Sequence, residues 1–241
     1  MKLGQNFLID ERVASRQIKY AELNKNDVVL EIGAGYGILT KKIAKIARVI
    51  AIEIDSRFIQ SLKKIPNVEV IHADALKVDF NELNFNKVIS NLPYQISSPI
   101  TFKLLDADFE LAILMYQKEF AARLIAKPGS KDYSRLTVMA YYKADFELLE
   151  EVPPKAFKPM PKVASCIVRV KPIGKRFSVD EKIFERVTKS IFQHRRKKIK
   201  NALASEGISI EKIPYGDYRA EQLSPEQIAY IANFISEHGI V

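Results

Sequence analysis

The chain has 241 residues, which is enough for one α/β domain and a smaller appended domain but too many for a single small module. Hydrophobic residues make up 47% of it, so a core can form, and no apolar run reaches the roughly 18 residues of a membrane span. The net charge of +9 favours polyanionic partners such as nucleic acid. A lone cysteine and an N-terminus without an apolar signal core predict a cytoplasmic protein.

Strand and helix patterns alternate along the first half of the chain. Short apolar runs predict five buried strands, at 28–32, 49–52, 68–71, 88–89 and 111–115. Apolar residues at helical spacing predict a helix over 37–46. Ser56 is the predicted N-cap of a second helix, which continues to Lys64 and stops before Pro66. This order predicts a parallel, Rossmann-like sheet covered by helices on both faces.

The pattern changes near Phe146. Two apolar stretches, 146–152 and 164–170, flank the proline-rich loop 153–161, and we expect them to pair as an antiparallel hairpin at one edge of the sheet. Cys166 falls inside the second stretch, which predicts a buried structural thiol.

Only helical patterns remain towards the C-terminus. Two helices are predicted, at about 180–206 and 224–237, the second with Ser224 as N-cap and a proline in its first turn. The predicted organisation is an α/β domain and a small all-helical domain, at 1–172 and 173–241.

A glycine-rich loop, Glu31 to Gly37, follows the first strand and opens a helix. Gly33 and Gly35 allow a tight turn and a close approach to a ligand. The spacing is G-x-G-x-G, and Ile38 stands where a dinucleotide fingerprint has its third glycine. Glu31 would repel a pyrophosphate but not an amino acid that carries ammonium and sulfonium groups. The loop therefore favours S-adenosylmethionine.

Acidic residues also end the next two strands. Glu53 ends the second strand, where a carboxylate can accept both ribose hydroxyls. Asp74, followed by Ala75, comes after the third strand and can accept from an adenine amine. Ligands of open α/β sheets bind at the carboxyl ends of the strands, so these positions support a cofactor site. The alternative is that both are ordinary acids at strand ends.

The turn Asn91-Leu92-Pro93-Tyr94 follows the fourth strand, beside the expected position of the cofactor methyl group. The Asn91 side-chain oxygen and the Leu92 carbonyl can accept the two protons of an exocyclic adenine amine. Pro93 fixes the backbone, and Tyr94 offers a face on which the base can stack. Carbon methylation would need a cysteine nucleophile, for which Cys166 is too buried. The alternative is a simple turn.

The sequence resembles the small-subunit ribosomal RNA adenine dimethyltransferase family, whose bacterial members confer kasugamycin sensitivity. The resemblance rests on segments spread over nearly the whole chain, at 3–8, 31–37, 91–94, 133–138, 157–165 and 192–198. It implies N6,N6-dimethylation of two adjacent adenosines in the hairpin near the 3′ end of small-subunit rRNA, with S-adenosylmethionine, during ribosome assembly.

The resemblance also implies residue roles. Cofactor contacts would come from Asn6 and Leu8 in the N-terminal arm, Gly33 at the methionine part, Glu53 at the ribose and Asp74 at the adenine. Phe157 would stack on the target base opposite Tyr94. Without the resemblance, residues 5–8 predict a capped helix start, and Phe157 predicts a core residue.

A basic stretch, 175–202, holds ten basic and three acidic residues, which is most of the net positive charge. Part of it is expected to face solvent on a helix and contact RNA phosphates: Arg195, Arg196, Lys197, Lys198 and Lys200. The alternative is a solvated helix face. The expected partner is small-subunit rRNA in a partly assembled subunit, with the protein acting as a monomer.

Other functions remain open at this point. A large-subunit rRNA adenine methyltransferase of the macrolide-resistance type would share the catalytic turn. A non-catalytic RNA-binding assembly or transcription factor would keep the basic surface. A dehydrogenase is disfavoured by Ile38. The histidines and the cysteine are scattered, so no metal site is expected: His72, His194, His238 and Cys166.

Overall fold

The computed structural model describes residues 5–208 and 212–239, which form two compact units. The first unit contains the described residues up to Ala121 together with Asp145–Pro172. The second contains Ala122–Ala144 and the described residues from Ile173 onward. The second unit thus includes a segment, 122–144, that the sequence analysis assigned to the first domain.

The first unit contains nine strands within its described residues. They are β1 (Phe7–Leu8), β2 (Val28–Ile32), β3 (Arg48–Glu53), β4 (Val68–His72), β5 (Lys87–Asn91), β6 (Leu111–Gln117), β7 (Ala144–Val152), β8 (Phe157–Lys158) and β9 (Ser165–Pro172). Only the first residue of β7, Ala144, belongs to the second unit. Its helices are α1 (Glu11–Tyr20), α2 (Thr40–Ile43), α3 (Ser56–Leu62) and α4 (Ser97–Leu105). Every strand expected from the sequence is present within two residues of its predicted bounds.

Seven of these strands form one sheet in the order β4-β3-β2-β5-β6-β9-β7. The first five are parallel, and β9 runs antiparallel to β6. The predicted Rossmann-like sheet with an edge hairpin is confirmed. Residues of the central strands are fully buried, as Val29 and Ile113 show, because helices cover both faces of a parallel sheet. Cys166 is buried in β9, as predicted.

The N-terminal arm forms a second, two-stranded sheet. Strand β1 pairs antiparallel with β8, so that Leu8 lies opposite Phe157. The Ile9 amide extends this pairing by donating to the Ala156 carbonyl (2.8 Å). The helix begins only at Glu11, so a helix start at residues 5–8 is wrong. Leu3 and Gly4 of the arm motif lie outside the described residues.

Two predicted helices of this unit are shorter than expected. Of the predicted helix over 37–46, only the four residues of α2 are helical, and turns flank them. The glycine-rich loop ends at Gly37, whose φ of +76° is not helical. The N-cap of α3 is Asp55 rather than Ser56. Its carboxylate accepts a bond from the Arg57 amide (3.1 Å), and Ser56 is the first helical residue.

The second unit is helical. Its helices are α5 (Lys118–Leu124), which begins in the first unit, α6 (Arg135–Lys143), α7 (Glu181–Gln193), α8 (Ile199–Ala204) and α9 (Pro225–Glu237). Tyr142 of α6 packs against Phe184 of α7 (ring centroids 5.2 Å apart), which explains why 122–144 belongs here. Among the described residues, no helix is long and apolar enough to cross a membrane.

The predicted continuous helix over 180–206 is wrong. It ends after Gln193, and a turn closed by a bond from the Lys197 amide to the His194 carbonyl (2.7 Å) separates α7 from α8. The start of α9 is as predicted. The Ser224 hydroxyl accepts from the Gln227 amide (3.3 Å), which is the bond expected of an N-cap.

Lys87 opens β5 with an ammonium group that is almost fully buried. Its Nζ donates to the carbonyl oxygens of Ala21 (3.1 Å) and Glu22 (3.0 Å), just beyond α1, and to the Asp27 carboxylate (3.1 Å). Asn86 also donates to Asp27 (2.9 Å). Because a buried charge requires a partner and hydrogen bonds, this network fixes the end of α1 against β5.

We expect Lys87→Met to lower the free energy of unfolding by about 3–5 kcal/mol, because Asp27 would stay buried without its charged partner. Urea denaturation followed by circular dichroism measures this loss. The control is Lys64→Met, at an exposed lysine, which should change stability by less than about 0.5 kcal/mol. A Lys87→Met protein as stable as the control would contradict the assignment.

Candidate active site

A pocket of about 700 Å³ opens at the carboxyl ends of the parallel strands. This volume is in the range of small-molecule and cofactor sites. Nine of the residues predicted from the sequence line it together: Asn6, Gly33, Glu53, Asp74, Ala75, Asn91, Leu92, Pro93 and Tyr94. The parallel sheet therefore brings the glycine loop, the acids after β3 and β4, and the turn after β5 to one cavity.

Glu53 binds two backbone segments at the edge of the pocket. Its side chain is buried, and its Oε2 accepts from the Gly35 amide (2.7 Å) while Oε1 accepts from the Asp55 amide (2.8 Å). Each carboxylate oxygen has a second lone pair, so the group can still accept from a diol. Asp74 is partly exposed, and its Oδ1 accepts from the Leu76 amide (3.0 Å).

The glycine loop needs its glycines for two separate reasons. Gly33 and Gly35 have φ values of +75° and +52°, where other residues are strained. A Cβ on Gly35 would also lie 3.0 Å from the Phe7 ring, and one on Gly33 would lie 3.4 Å from the Pro93 ring. The loop is thus in close contact with both the N-terminal arm and the turn after β5.

Asn91, the last residue of β5, places a buried side-chain acceptor at the pocket wall. Its Oδ1 is buried and makes no hydrogen bond within the described residues. A buried polar atom without a partner costs free energy, so its presence at a pocket wall indicates a missing donor. Leu92 is buried behind it, and Tyr94 is partly exposed, with its hydroxyl 2.7 Å from the Ser165 hydroxyl.

A family model described as "Ribosomal RNA adenine dimethylase" matches residues 1–237. The chain belongs to this family. A relative from Methanococcus maripaludis strain C5, named "Probable ribosomal RNA small subunit methyltransferase A", is 48% identical over 97% of this chain and 97% of its own length. The predicted family and enzyme class are confirmed, and the dehydrogenase alternative is wrong.

Two solved methyltransferase structures share the fold over nearly the whole chain. A dimethyladenosine transferase from Plasmodium falciparum is 28% identical, with a TM-score of 0.83 over 97% of this chain and 98% of its own. A 23S rRNA methyltransferase, ErmE, is 30% identical, with a TM-score of 0.70 over 96% of this chain and 100% of its own. The fold is therefore shared by a dimethyladenosine transferase and by an enzyme named for 23S rRNA.

Four of the predicted cofactor and base contacts of this dimethylase do not line the pocket. Leu8 and Phe157 are opposite each other in the small sheet, and both are buried in the core. Phe157 is only 4% exposed, so its predicted stacking role requires the ring to become accessible. The Gly35 amide donates to Glu53, which itself lines the pocket, and the Glu31 side chain is buried.

Sequence reasoning missed the polar contacts that hold the arm over the pocket. Gln5 lines the pocket, and its amide nitrogen donates to Asp55 (3.3 Å) while its oxygen accepts from Arg57 (3.1 Å). The Arg57 guanidinium also binds Asp55 and holds the pKa of that carboxyl well below its usual range. These partners are about fifty residues apart, so no local pattern marks them.

An aromatic cluster on the same arm was also missed. The Phe7 ring lies 4.7 Å from the ring of Tyr36 and 5.4 Å from that of Phe58, and the last two are 4.8 Å apart. All three pairs meet edge to face, a favoured arrangement. Tyr36 is nevertheless 64% exposed. In the sequence, only Gly35 could have indicated this cluster, because a residue without a side chain there leaves room for the Phe7 ring.

The basic run of the second unit lies in and just after the turn between α7 and α8. Four of its five predicted RNA contacts are exposed: Arg196, Lys197, Lys198 and Lys200. The ammonium groups of Lys198 and Lys200 lie 3.0 and 2.9 Å from Asp217, which they share. No cluster of three or more histidine, cysteine or acidic side chains suited to a metal occurs in 5–208 and 212–239.

Arg195 differs from the four exposed residues because it is partly buried and bonds to backbone carbonyl oxygens as well as to a carboxylate. Its guanidinium pairs with Glu221 (2.9 Å) and donates to the carbonyl oxygens of Lys131 (2.9 Å) and Ser130 (3.1 Å). The Gly129 amide donates to the Glu221 carbonyl (2.6 Å) in the same region. Arg195 thus connects the segment before α6 to residues near α9, and a phosphate would compete with these bonds.

Burial raises the pKa of Glu31 to about 8, and the neighbouring Glu53 carboxylate adds to the shift. Glu31 Oε2 has no hydrogen-bond partner among the described residues. A glutamate in the unfolded chain ionises near about 4.3. Between these values the unfolded chain is ionised at this position and the folded chain is not, so stability falls as the pH rises from about 4 to 8.

We expect Glu31→Gln to remove this dependence. The melting temperature of the variant minus that of the wild type should increase progressively from pH 5 to pH 8. The amide does not ionise, so the variant loses no proton at this position on unfolding. Differential scanning calorimetry at pH 5, 6.5 and 8 measures the gain. Glu69→Gln, at an exposed position of β4, serves as control and should follow the wild type. An equal offset at all three values would rule out titration of Glu31.

Proposed function

We propose that this dimethylase transfers methyl groups from S-adenosylmethionine to N6 of two adjacent adenosines in the 3′-terminal hairpin of small-subunit rRNA. The observation that carries the proposal is the buried Oδ1 of Asn91 in the wall of the pocket, which has no partner in the described part of the chain. An adenine amine would supply the donor that this oxygen lacks. The acids Glu53 and Asp74 line the same pocket and suit an adenosine-containing cofactor.

The residues fit the cofactor. Glu53 would accept from the ribose hydroxyls, Asp74 from the adenine amine, and the backbone at Gly33 would pass close to the methionine part. Asn6 lines the pocket from the arm and would close it over the cofactor. When bound, S-adenosylmethionine supplies an electrophilic methyl group on a positively charged sulfur.

The turn after β5 would prepare the amine. Its lone pair is delocalised into the base, which makes it a weak nucleophile. Asn91 Oδ1 and the Leu92 carbonyl would accept its two protons and favour a pyramidal nitrogen, while Pro93 keeps that carbonyl in a fixed direction. Tyr94 would stack on the extruded base. The nitrogen would lose its proton to solvent after transfer, so positioning supplies most of the rate.

The small subunit is favoured as substrate because the small-subunit relative is 48% identical, against 30% for ErmE. Large-subunit rRNA remains the alternative, since its enzymes share this fold. The exposed residues Arg196, Lys197, Lys198 and Lys200 would contact phosphates without reading sequence. Arg195, which is bound internally, would contribute by holding this surface together. We further propose that the enzyme acts as a cytoplasmic monomer on a partly assembled subunit.

We expect Asn91→Ala to lower the rate of methyl transfer by about 100-fold, because the amine loses one of its two acceptors. The rate is measured as the transfer of label from S-adenosylmethionine to the RNA of unmethylated small subunits. Mass spectrometry of the nucleosides then locates the methyl groups. The control is Asn84→Ala, an exposed asparagine of the same unit, which should retain full activity.

Two outcomes would contradict the proposal. An Asn91→Ala enzyme with the wild-type rate would remove the site assignment. When unmethylated large subunits are offered in a parallel reaction, label that appears in their RNA and not in small-subunit RNA would show that the substrate is large-subunit rRNA, with the proposed chemistry unchanged.

We expect Gly35→Ala to weaken cofactor binding by at least tenfold. The methyl group would meet the Phe7 ring at 3.0 Å in a backbone region that favours glycine, so both the arm and the amide bonded to Glu53 would shift. Isothermal titration with S-adenosylhomocysteine measures the affinity. Gly174→Ala is the control, because Gly174 also has a positive φ but nothing lies within 4 Å of its added Cβ. Equal affinity in the two variants would contradict the steric argument.

A further inference from the structure

Ser165 contacts the catalytic turn from a different strand. Its Oγ lies 2.7 Å from the hydroxyl of Tyr94, and its own side chain is fully buried at the start of β9. Tyr94 lines the pocket and is partly exposed, and burial raises the pKa of its phenol, which therefore remains a neutral hydrogen-bonding group. Ser165 thus holds the far end of the ring that faces the cavity.

The sheet fixes Ser165 relative to Asn91. Asn91 of β5 lies opposite Met115 of β6, and Met115 lies opposite Ile167 of β9. Two residues further along the same ladder, Ser165 lies opposite Gln117. The backbone positions of the amine acceptor and of the serine are therefore set by the hydrogen bonds of three adjacent strands.

We propose that Ser165 is a positioning residue that holds the Tyr94 ring in place at the pocket wall for stacking on the target base. The proposal rests on the proposed function of Tyr94. Without an anchor on its hydroxyl, a tyrosine ring at a pocket wall can swing away from the wall by rotation about its first side-chain torsion. The bond to a buried serine on a rigid strand removes this freedom before the base arrives, and so reduces the entropy that must be lost on the way to methyl transfer.

The proposal predicts a loss of rate without a loss of binding. Ser165→Ala and Tyr94→Phe each remove the hydrogen bond and keep an aromatic ring at position 94. Each should slow single-turnover methylation of unmethylated small subunits about fivefold, as expected for one hydrogen bond. Affinities for the subunit and for S-adenosylhomocysteine should stay within about twofold of wild type.

The double variant tests whether the two residues act as one unit. Ser165→Ala combined with Tyr94→Phe should be no slower than the slower single variant, because one bond is lost in all three proteins. Ser165→Thr, which keeps a hydroxyl on a β-branched side chain suited to a strand, should restore most of the rate. The control is Ser190→Ala, which removes a buried hydroxyl that donates to the Arg186 carbonyl of its own helix, and this variant should methylate normally.

Several results would overturn the proposal. They are a wild-type rate in either single variant, effects that multiply in the double variant, or a loss confined to subunit affinity. If Ser165→Ala fails to fold, Tyr94→Phe decides the question, because it removes the same bond from the pocket side. A failure of the proposed function is separate: it would appear as no methylation by the wild type, or as an unaffected Asn91→Ala enzyme.

Discussion

The carboxylate of Glu53 is the interaction on which the site depends. It is buried, and a buried carboxylate must be hydrogen-bonded, so the amides of Gly35 and Asp55 are held against its two oxygens. The first bond fixes the glycine loop after β2 to the end of β3. The second fixes the start of α3, whose cap, Asp55, also binds Gln5 of the N-terminal arm. One acidic side chain therefore connects the loop, the helix and the arm around the pocket.

The central sheet could be predicted because its signal is local. Strands buried on both faces are continuous apolar runs, and the acids and the Asn-Leu-Pro-Tyr turn follow them directly in sequence. Parallel strands then place these positions at one edge, as the lining of the pocket by Glu53, Asp74 and Asn91 shows. The helix ends were less accurate, because Asp55 and Ser56 are both good caps and only the backbone geometry distinguishes them.

The rest of the site depends on contacts between distant residues, which a single sequence does not encode locally. Tyr94 and Ser165 are 71 residues apart, and the bond between them follows from the strand order. Phe157 illustrates the opposite case. The family resemblance implies that Phe157 stacks on the target base, whereas its pairing with Leu8 places the side chain in the core. The break after Gln193 was missed because apolar spacing continues across it into α8.

The carboxylates of the second unit affect how RNA binding would respond to salt. Lys198 and Lys200 share Asp217, and Arg195 is paired with Glu221. These acids act as built-in counterions, so a phosphate that displaced them would release fewer ions from solution than a bare lysine or arginine would. The slope of log affinity against log salt concentration would then be smaller in magnitude than the number of basic side chains at the phosphates predicts. The formal charge of the basic run is thus an upper limit on its electrostatic contribution.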